Sequence, residues 1–274
     1  MKKRNLLATV ALSSVLFLGA CSSDASSTTD VESTTESDQV TFESIKEAGV
    51  LKVGVKEDVP NFGLMNTDTG EIEGFEIDIA KKIAEEILGD PEAIELTPVT
   101  AKTRGPLLDN GEVDMVIATF TVTEERKETY NFTDAYYEDA VGLLVKTEKN
   151  YEGLEDMDGA NIGVAQSSTT ADAIAAEAEQ YDITVDFSEY ATYPEIKAAL
   201  DSGRIDAFSV DRSILAGYLD ESTEILPDRF ATQDYGIATM KVNTELADGV
   251  NDLITTWGED DTLDGLVSEW GLGE

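Results

Sequence analysis

The chain has 274 residues, with 57 acidic against 19 basic side chains, no histidine and one cysteine, and a formal net charge of −38. A surface this acidic repels nucleic acid and anionic lipid, and the lack of histidine excludes Ser-His-Asp and Cys-His catalysis and histidine metal sites. At 41% hydrophobic residues the chain still has ample material for a core, enough for one unit of two domains.

In chain order, Met1-Lys2-Lys3-Arg4 gives a basic start, Leu6 to Leu18 an apolar stretch, and Leu18-Gly19-Ala20 small residues ahead of Cys21. This is the build of a secretory signal, and the apolar run is shorter than the ~20 residues needed to span a bilayer. The segment Leu18-Gly19-Ala20-Cys21 resembles the lipobox of bacterial lipoproteins, in which the cysteine is lipidated and becomes the new N-terminus. The expectation is a signal peptide over 1–20 and a lipid anchor at Cys21, which would hold the protein on the extracytoplasmic face of the cell membrane. Losing Lys2, Lys3 and Arg4 with the signal would take the net charge from −38 to −41. Charge this high suits saline or alkaline surroundings; ordinary solubility is the alternative reading. Residues 21–40 then form an acidic tether rich in Ser, Thr, Asp and Glu, too poor in apolar residues to offset the entropy of ordering.

From Phe42 onward short apolar runs alternate with helical periods. Leu51 to Val55 reads as a buried strand, and Phe75 to Leu88 places Phe75, Ile79, Ile83 and Ile87 on one helical face. Further strands are expected over Ile94 to Val99, Val113 to Ala118, Asn161 to Ala165, Thr184 to Phe187 and Ile205 to Val210. Helices are expected around Lys102 to Leu108, Thr170 to Gln180, Tyr193 to Leu200 and Arg212 to Leu219. Such alternation implies parallel sheets covered by helices, an α/β fold.

An internal repeat organises the chain. Leu107-Leu108-Asp109-Asn110-Gly111-Glu112-Val113-Asp114 aligns with Ala199-Leu200-Asp201-Ser202-Gly203-Arg204-Ile205-Asp206, each a helix end, a glycine stop and a strand start. The first copy runs on into Thr119-Phe120-Thr121 and the second into Asp211. Ligands of open α/β sheets sit beyond the carboxyl ends of strands, so two similar lobes would present these residues to a shared crevice.

Leu51-Lys52-Val53-Gly54-Val55, Gly74-Phe75-Glu76-Ile77-Asp78-Ile79-Ala80 and Thr121-Val122-Thr123-Glu124-Glu125-Arg126 resemble motifs of the polar amino-acid solute-binding proteins of ABC importers. Lys102-Thr103-Arg104-Gly105-Pro106-Leu107-Leu108, Ala207-Phe208-Ser209-Val210-Asp211 and Gln233-Asp234-Tyr235-Gly236-Ile237 are similar to the aspartate/glutamate-binding branch. The resemblance covers about Phe42 to Gly271. It implies a two-lobed type II periplasmic-binding fold, two α/β lobes joined by two hinge strands near Leu143 to Lys146 and Tyr235 to Thr239. Lobe 1 would comprise 41–144 and 237–274, and lobe 2 145–236. No cofactor, metal or catalytic residue is implied; the partners are an acidic amino acid, glutamate or aspartate with glutamine as the alternative, and a permease-ATPase complex.

An α-amino acid brings a carboxylate, an ammonium and a side chain. Arg126 is the candidate for the carboxylate, since a guanidinium can form two parallel charge-assisted bonds; otherwise it is a solvated helix arginine. Thr119 and Thr121, with their backbone groups, would share the ligand's carboxylate and ammonium. Asp211 is the candidate for the ammonium, or a helix N-cap before Arg212. Ser168 and Thr169, ahead of a helix, are secondary candidates. By the resemblance, Arg104 and Lys56 would meet a distal carboxylate, and Phe62 would wall the ligand. Two other functions are open on the same fold: a cyclohexadienyl dehydratase-like enzyme, which needs a carboxyl group of raised pKa in the cleft, and an amino-acid-binding surface adhesin or sensor.

Overall fold

The computed structural model describes residues 39–273; Cys21, the signal and nearly all of the tether lie outside them. Helix α1 (Phe42–Ala48) starts at a reciprocal cap: Ser44 N donates to Thr41 Oγ1, and Thr41 N donates to Ser44 Oγ. It leads into β1 (Leu51–Val55), whose Leu51, Val53 and Val55 are fully buried. A small antiparallel sheet follows, β2 (Asp58–Val59), β3 (Gly63–Met65) and β4 (Ile72–Glu73). Helix α2 (Phe75–Leu88) then buries the expected Phe75, Ile79, Ile83 and Ile87. Gly74 allows this start: its φ is 151°, and a Cβ there would lie 2.1 Å from the Phe62 carbonyl oxygen. Next come β5 (Ile94–Pro98), α3 (Arg104–Asp109), β6 (Met115–Ile117), α4 (Glu124–Thr129) and β7 (Tyr130–Phe132).

The second lobe runs through β8 (Tyr137–Lys146), β9 (Asn161–Ala165), α5 (Thr170–Gln180), β10 (Asp186–Tyr190), α6 (Tyr193–Asp201), β11 (Ala207–Asp211), α7 (Arg212–Ala216), β12 (Thr223–Ile225) and β13 (Phe230–Tyr235). The chain then returns to the first lobe as β14 (Ala238–Met240), α8 (Thr244–Glu259) and α9 (Thr262–Glu269). The first sheet has the order β5-β1-β6-β14-β7 and the second β10-β9-β11-β8-β12, with β13 on β8. In each, the strands that follow covered crossovers pair in parallel: β1 with β5 and β6, β9 with β10 and β11. Strand β10 begins later than expected because its register is fixed by β9, from Asp186 opposite Asn161, and not by the apolar Val185 and Phe187.

The repeat corresponds to real duplication. Gly111 and Gly203 both adopt left-handed φ, 69° and 72°. Asp114 Oδ2 accepts from Lys52 N at 2.8 Å and Asp206 Oδ2 accepts from Asn161 N at 3.0 Å, so each aspartate holds the first parallel strand of its own lobe.

One boundary differs from expectation. Leu143 to Lys146 is no hinge: β8 pairs with β13, β11 and β12 along its whole length, which places 137–144 in the second sheet. The run Val141 to Val145 is buried, and an apolar run looks the same in sequence whichever sheet it enters. The chain crosses between sheets at 133–136 and again at 236–237. The two crossings are bonded to each other, Thr133 N to the Ile237 carbonyl (3.1 Å), Ile237 N to Thr133 Oγ1 (3.0 Å) and Tyr136 N to the Tyr235 carbonyl (2.9 Å). These two adjacent connections join the sheets without being part of either sheet's strand order.

Candidate ligand-binding site

The carboxyl end of β6 carries the first group of candidates. Thr119 has φ 45°, uncommon for a β-branched residue, and the turn it makes spends both of its backbone groups. Its N–H donates to Glu76 Oε1 at 2.6 Å, and its carbonyl accepts from an Arg104 Nη at 3.0 Å. The same Arg104 nitrogen donates to the Ala118 carbonyl at 2.7 Å, and the guanidinium lies 3.9 Å from the centre of the Phe120 ring. The Thr119 backbone, expected to meet the ligand, links Arg104 and Glu76 in this structure.

Arg126 approaches the same ring, at 4.9 Å from its centre. Thr123 caps the start of α4 by accepting from Arg126 N. One Nη donates to the Thr121 carbonyl at 2.7 Å and the other crosses to the Ser167 carbonyl of the second lobe at 3.2 Å. Arg126 is thus a half-buried residue bonded to both lobes, not a solvated helix arginine. Burial, then the nearby Arg104, brings its pKa down to about 10, so it stays charged at neutral pH.

On the second lobe, Asp211 ends β11 and is 5% exposed. The capping alternative fails, since its side chain makes no bond to α7. That cap comes from Asp139, whose Oδ2 accepts from the Ser213 N–H at 3.0 Å and from the Ser213 hydroxyl. Asp211 instead accepts from the Tyr235 hydroxyl, and burial pushes its carboxyl up to about 7. Thr169 and Thr121, from opposite lobes, both donate to Gln233 Oε1 at 2.8 Å, while Ser168 Oγ turns back to the Ala165 carbonyl. Gln233 is thereby a bridge across the crevice.

Lys56 and Phe62 stand differently from their expected roles. Lys56 is 2% exposed, its Nζ 2.9 Å from Asp58 Oδ1 and 4.7 Å from the centre of the Tyr193 ring. Asp58 in turn receives the Tyr193 N–H and, at its carbonyl, the Tyr218 hydroxyl, both from the second lobe. The charge of Lys56 is matched within the protein, at a contact between lobes. Phe62 is fully buried with its ring edge-on to Phe75, Tyr137 and Tyr235, at centroid distances of 6.0, 5.2 and 5.9 Å, so it supports those aromatics.

The sequence reading missed Glu76. It is completely buried, its Oε1 accepting from Thr119 N and from the Tyr136 hydroxyl (2.5 Å), and burial pushes its carboxyl up to about 7. A signal existed: Glu76 shares helical spacing with Ala80, Ile83 and Ile87, which places an acid on the apolar face of α2. Tyr136, Gln233 and Tyr235 gave no comparable signal, because their partners lie far away in sequence.

Residues 51–273 match the sequence profile of the bacterial extracellular solute-binding proteins, family 3. The chain belongs to that family. A glutamine-binding protein of an ABC transporter from Bacillus subtilis is 37% identical, over 98% of this chain and 97% of its own. A glutamate-binding protein of Corynebacterium glutamicum is 32% identical over 83% of this chain and 80% of its own. Among solved structures, an ancestral amino acid-binding protein described as a precursor of cyclohexadienyl dehydratase superposes with a TM-score of 0.73 and 27% identity, covering 84% of this chain and 98% of that one. As a family 3 protein this is an extracellular solute-binding protein with a two-lobed α/β fold, and among its described residues no helix is long and apolar enough to cross a membrane.

Proposed function

We propose that this family 3 protein closes its lobes on glutamine or glutamate and delivers it to an ABC importer. The observation that carries the reading is the placing of Arg126 and Asp211, opposite charges that act on one another from the two lobes, one on the helix that follows β6 and one at the end of β11, where an α-carboxylate and an α-ammonium can be met together. The relatives named for glutamine and glutamate support a five-carbon polar ligand. Arg104, 3% exposed and with its Nε unpartnered, is the group for the distal end of the side chain; Lys56 is already matched by Asp58. The sequence-based preference for an acidic ligand is thus weakened by one cation, and the amide ligand gains equal standing.

Thermal melting against the twenty amino acids tests the reading, because a ligand at a hundred times its dissociation constant raises stability by about 2.7 kcal/mol. No shift with either glutamine or glutamate would refute it. Arg104→Gln is expected to weaken glutamate more than glutamine, by about 1.5–3 kcal/mol in the ratio, as for a truncated charge pair. Equal weakening of both, measured by calorimetry, would place specificity elsewhere.

A dehydratase reading is favoured by one observation, the two buried carboxyl groups at about 7, either of which could serve as a general acid. Against it, Oε1 of Glu76 is held by two donors and Asp211 by Tyr235. Turnover of a prephenate-like substrate would decide for the enzyme. Loss of glutamine or glutamate uptake on deletion of the gene would separate transport from an adhesin or sensor role.

The lipid anchor at Cys21 is proposed from its place behind Leu18-Gly19-Ala20. Cys21→Ser is expected to abolish lipid labelling and release the protein from membranes or leave it unprocessed; continued labelling would remove the idea.

A further inference from the structure

Charged side chains of both signs gather where the two lobes meet. The cations are Lys56, Arg104 and Arg126, and the acids near them are Asp58, Glu76 and Asp211, with Asp139 beside Asp211. Lys56 is matched by Asp58, and Arg126 and Asp211 are the pair for the ligand's own backbone charges. What remains is Arg104 with Glu76, joined through Thr119, which donates to the one and accepts from the other. Each of the two also carries a buried atom with no hydrogen-bond partner, Arg104 Nε and Glu76 Oε2.

A buried donor and a buried acceptor left open in one cluster describe the side chain that would complete them. The distal amide of glutamine offers an acceptor to the Arg104 N–H and a donor to Glu76 Oε2. The distal carboxylate of glutamate offers acceptors only, so it can satisfy Arg104 but meets Oε2 lone pair against lone pair. A proton on Oε2 turns that oxygen into a donor and removes the clash. We propose that Glu76 is a specificity-determining residue, selecting the amide of glutamine while it is a carboxylate and admitting glutamate when it carries a proton. The proposal rests on the reading that the chain binds these amino acids.

The groups that face Glu76 are Lys56 beyond β1, Arg104 on α3 and Tyr136 ahead of β8. Both cations favour the ionised form and burial opposes them more strongly, leaving the carboxyl at about 7. Tyr136 titrates far above neutrality and remains a donor to Oε1. Asp211 changes charge over the same range, but it faces the ammonium common to both ligands and cancels from their ratio.

Calorimetric titration of the folded protein with glutamine and with glutamate, between about pH 6 and 9, tests this. The glutamate-to-glutamine affinity ratio should rise as the pH falls, by up to about tenfold per unit. Repeating the titrations in buffers of different ionisation enthalpy should show about one more proton taken up with glutamate than with glutamine above neutrality. Glu76→Gln should give a ratio that no longer varies with pH and, at about pH 8, favours glutamate at least tenfold more than wild type does. A constant ratio in wild type, absence of glutamate binding even at the lowest pH, or an unaltered ratio in folded Glu76→Gln overturns the proposal. If that variant does not fold, the wild-type profile and proton count decide alone. Binding of neither amino acid, by contrast, would overturn the proposed function itself.

Discussion

Arg126→Ala is expected to remove detectable binding of every amino acid that the wild-type protein accepts. The α-carboxylate is common to all of them, and closing the crevice without its guanidinium would bury that anion unpaired, a loss of about 3–5 kcal/mol or a factor of roughly 150 to 4,000. The fold should survive. The Arg126 guanidinium hydrogen-bonds to the carbonyls of Thr121 and Ser167 and lies over the Phe120 ring, and it stands on a short helix outside both sheets, so its removal leaves the sheets and their pairing intact. Calorimetry on a variant with the wild-type melting temperature is the measurement. Unchanged affinity would show that the side chain serves only to hold Ser167 of the facing lobe.

Asp211→Asn is expected to have an effect of similar size, with a distinctive pH profile. The ligand's ammonium needs the carboxylate, so loss of its charge should weaken all amino acids by about 2–5 kcal/mol at pH 8. In the wild type, burial has raised the carboxyl to about 7 from an unfolded value near 3.9. Below about pH 7 the group must give up its proton to bind, and affinity for glutamate should fall by up to tenfold per unit; the asparagine variant should show no such fall with that ligand. Stability of the ligand-free protein carries the opposite sign. Between the unfolded and folded values the native state holds the extra proton, so acidification from pH 8 toward 5 should raise the melting temperature, and less so in the variant. A variant whose binding keeps the wild-type pH profile would mean that another acid holds the ammonium.

Much of the architecture is legible along the chain because it is written in local patterns. The face of α2 follows from residues four apart, and the duplication follows from Gly111 and Gly203 with their aspartates, each doing the same local work at the edge of its sheet. Asp211 was nominated for the same reason, since it ends a helix-glycine-strand unit whose position in an open sheet is fixed by its own neighbours, whereas Arg126, on α4 beyond β6, was nominated through the resemblance of its motif. The resemblance of motifs carried the remainder of the first candidates.

The misjudged features all depend on contacts between distant segments. Whether Val141 to Val145 is a hinge or the interior of a sheet is decided by β11 and β12, more than sixty residues on. Lys56 looked free to meet a ligand until Asp58 and Tyr193 enclosed it, and Asp211 looked like a helix cap until Asp139 took that place. Composition, period and the repeat determined the two α/β lobes and the strand ends that face each other, because short-range sterics and the burial of apolar side chains settle those along the chain. Which charged groups remain available to a ligand was decided only in the tertiary structure. A buried charge takes its meaning from the partners and the dielectric that packing brings to it, and for Glu76 those came from Thr119, Tyr136 and Arg104.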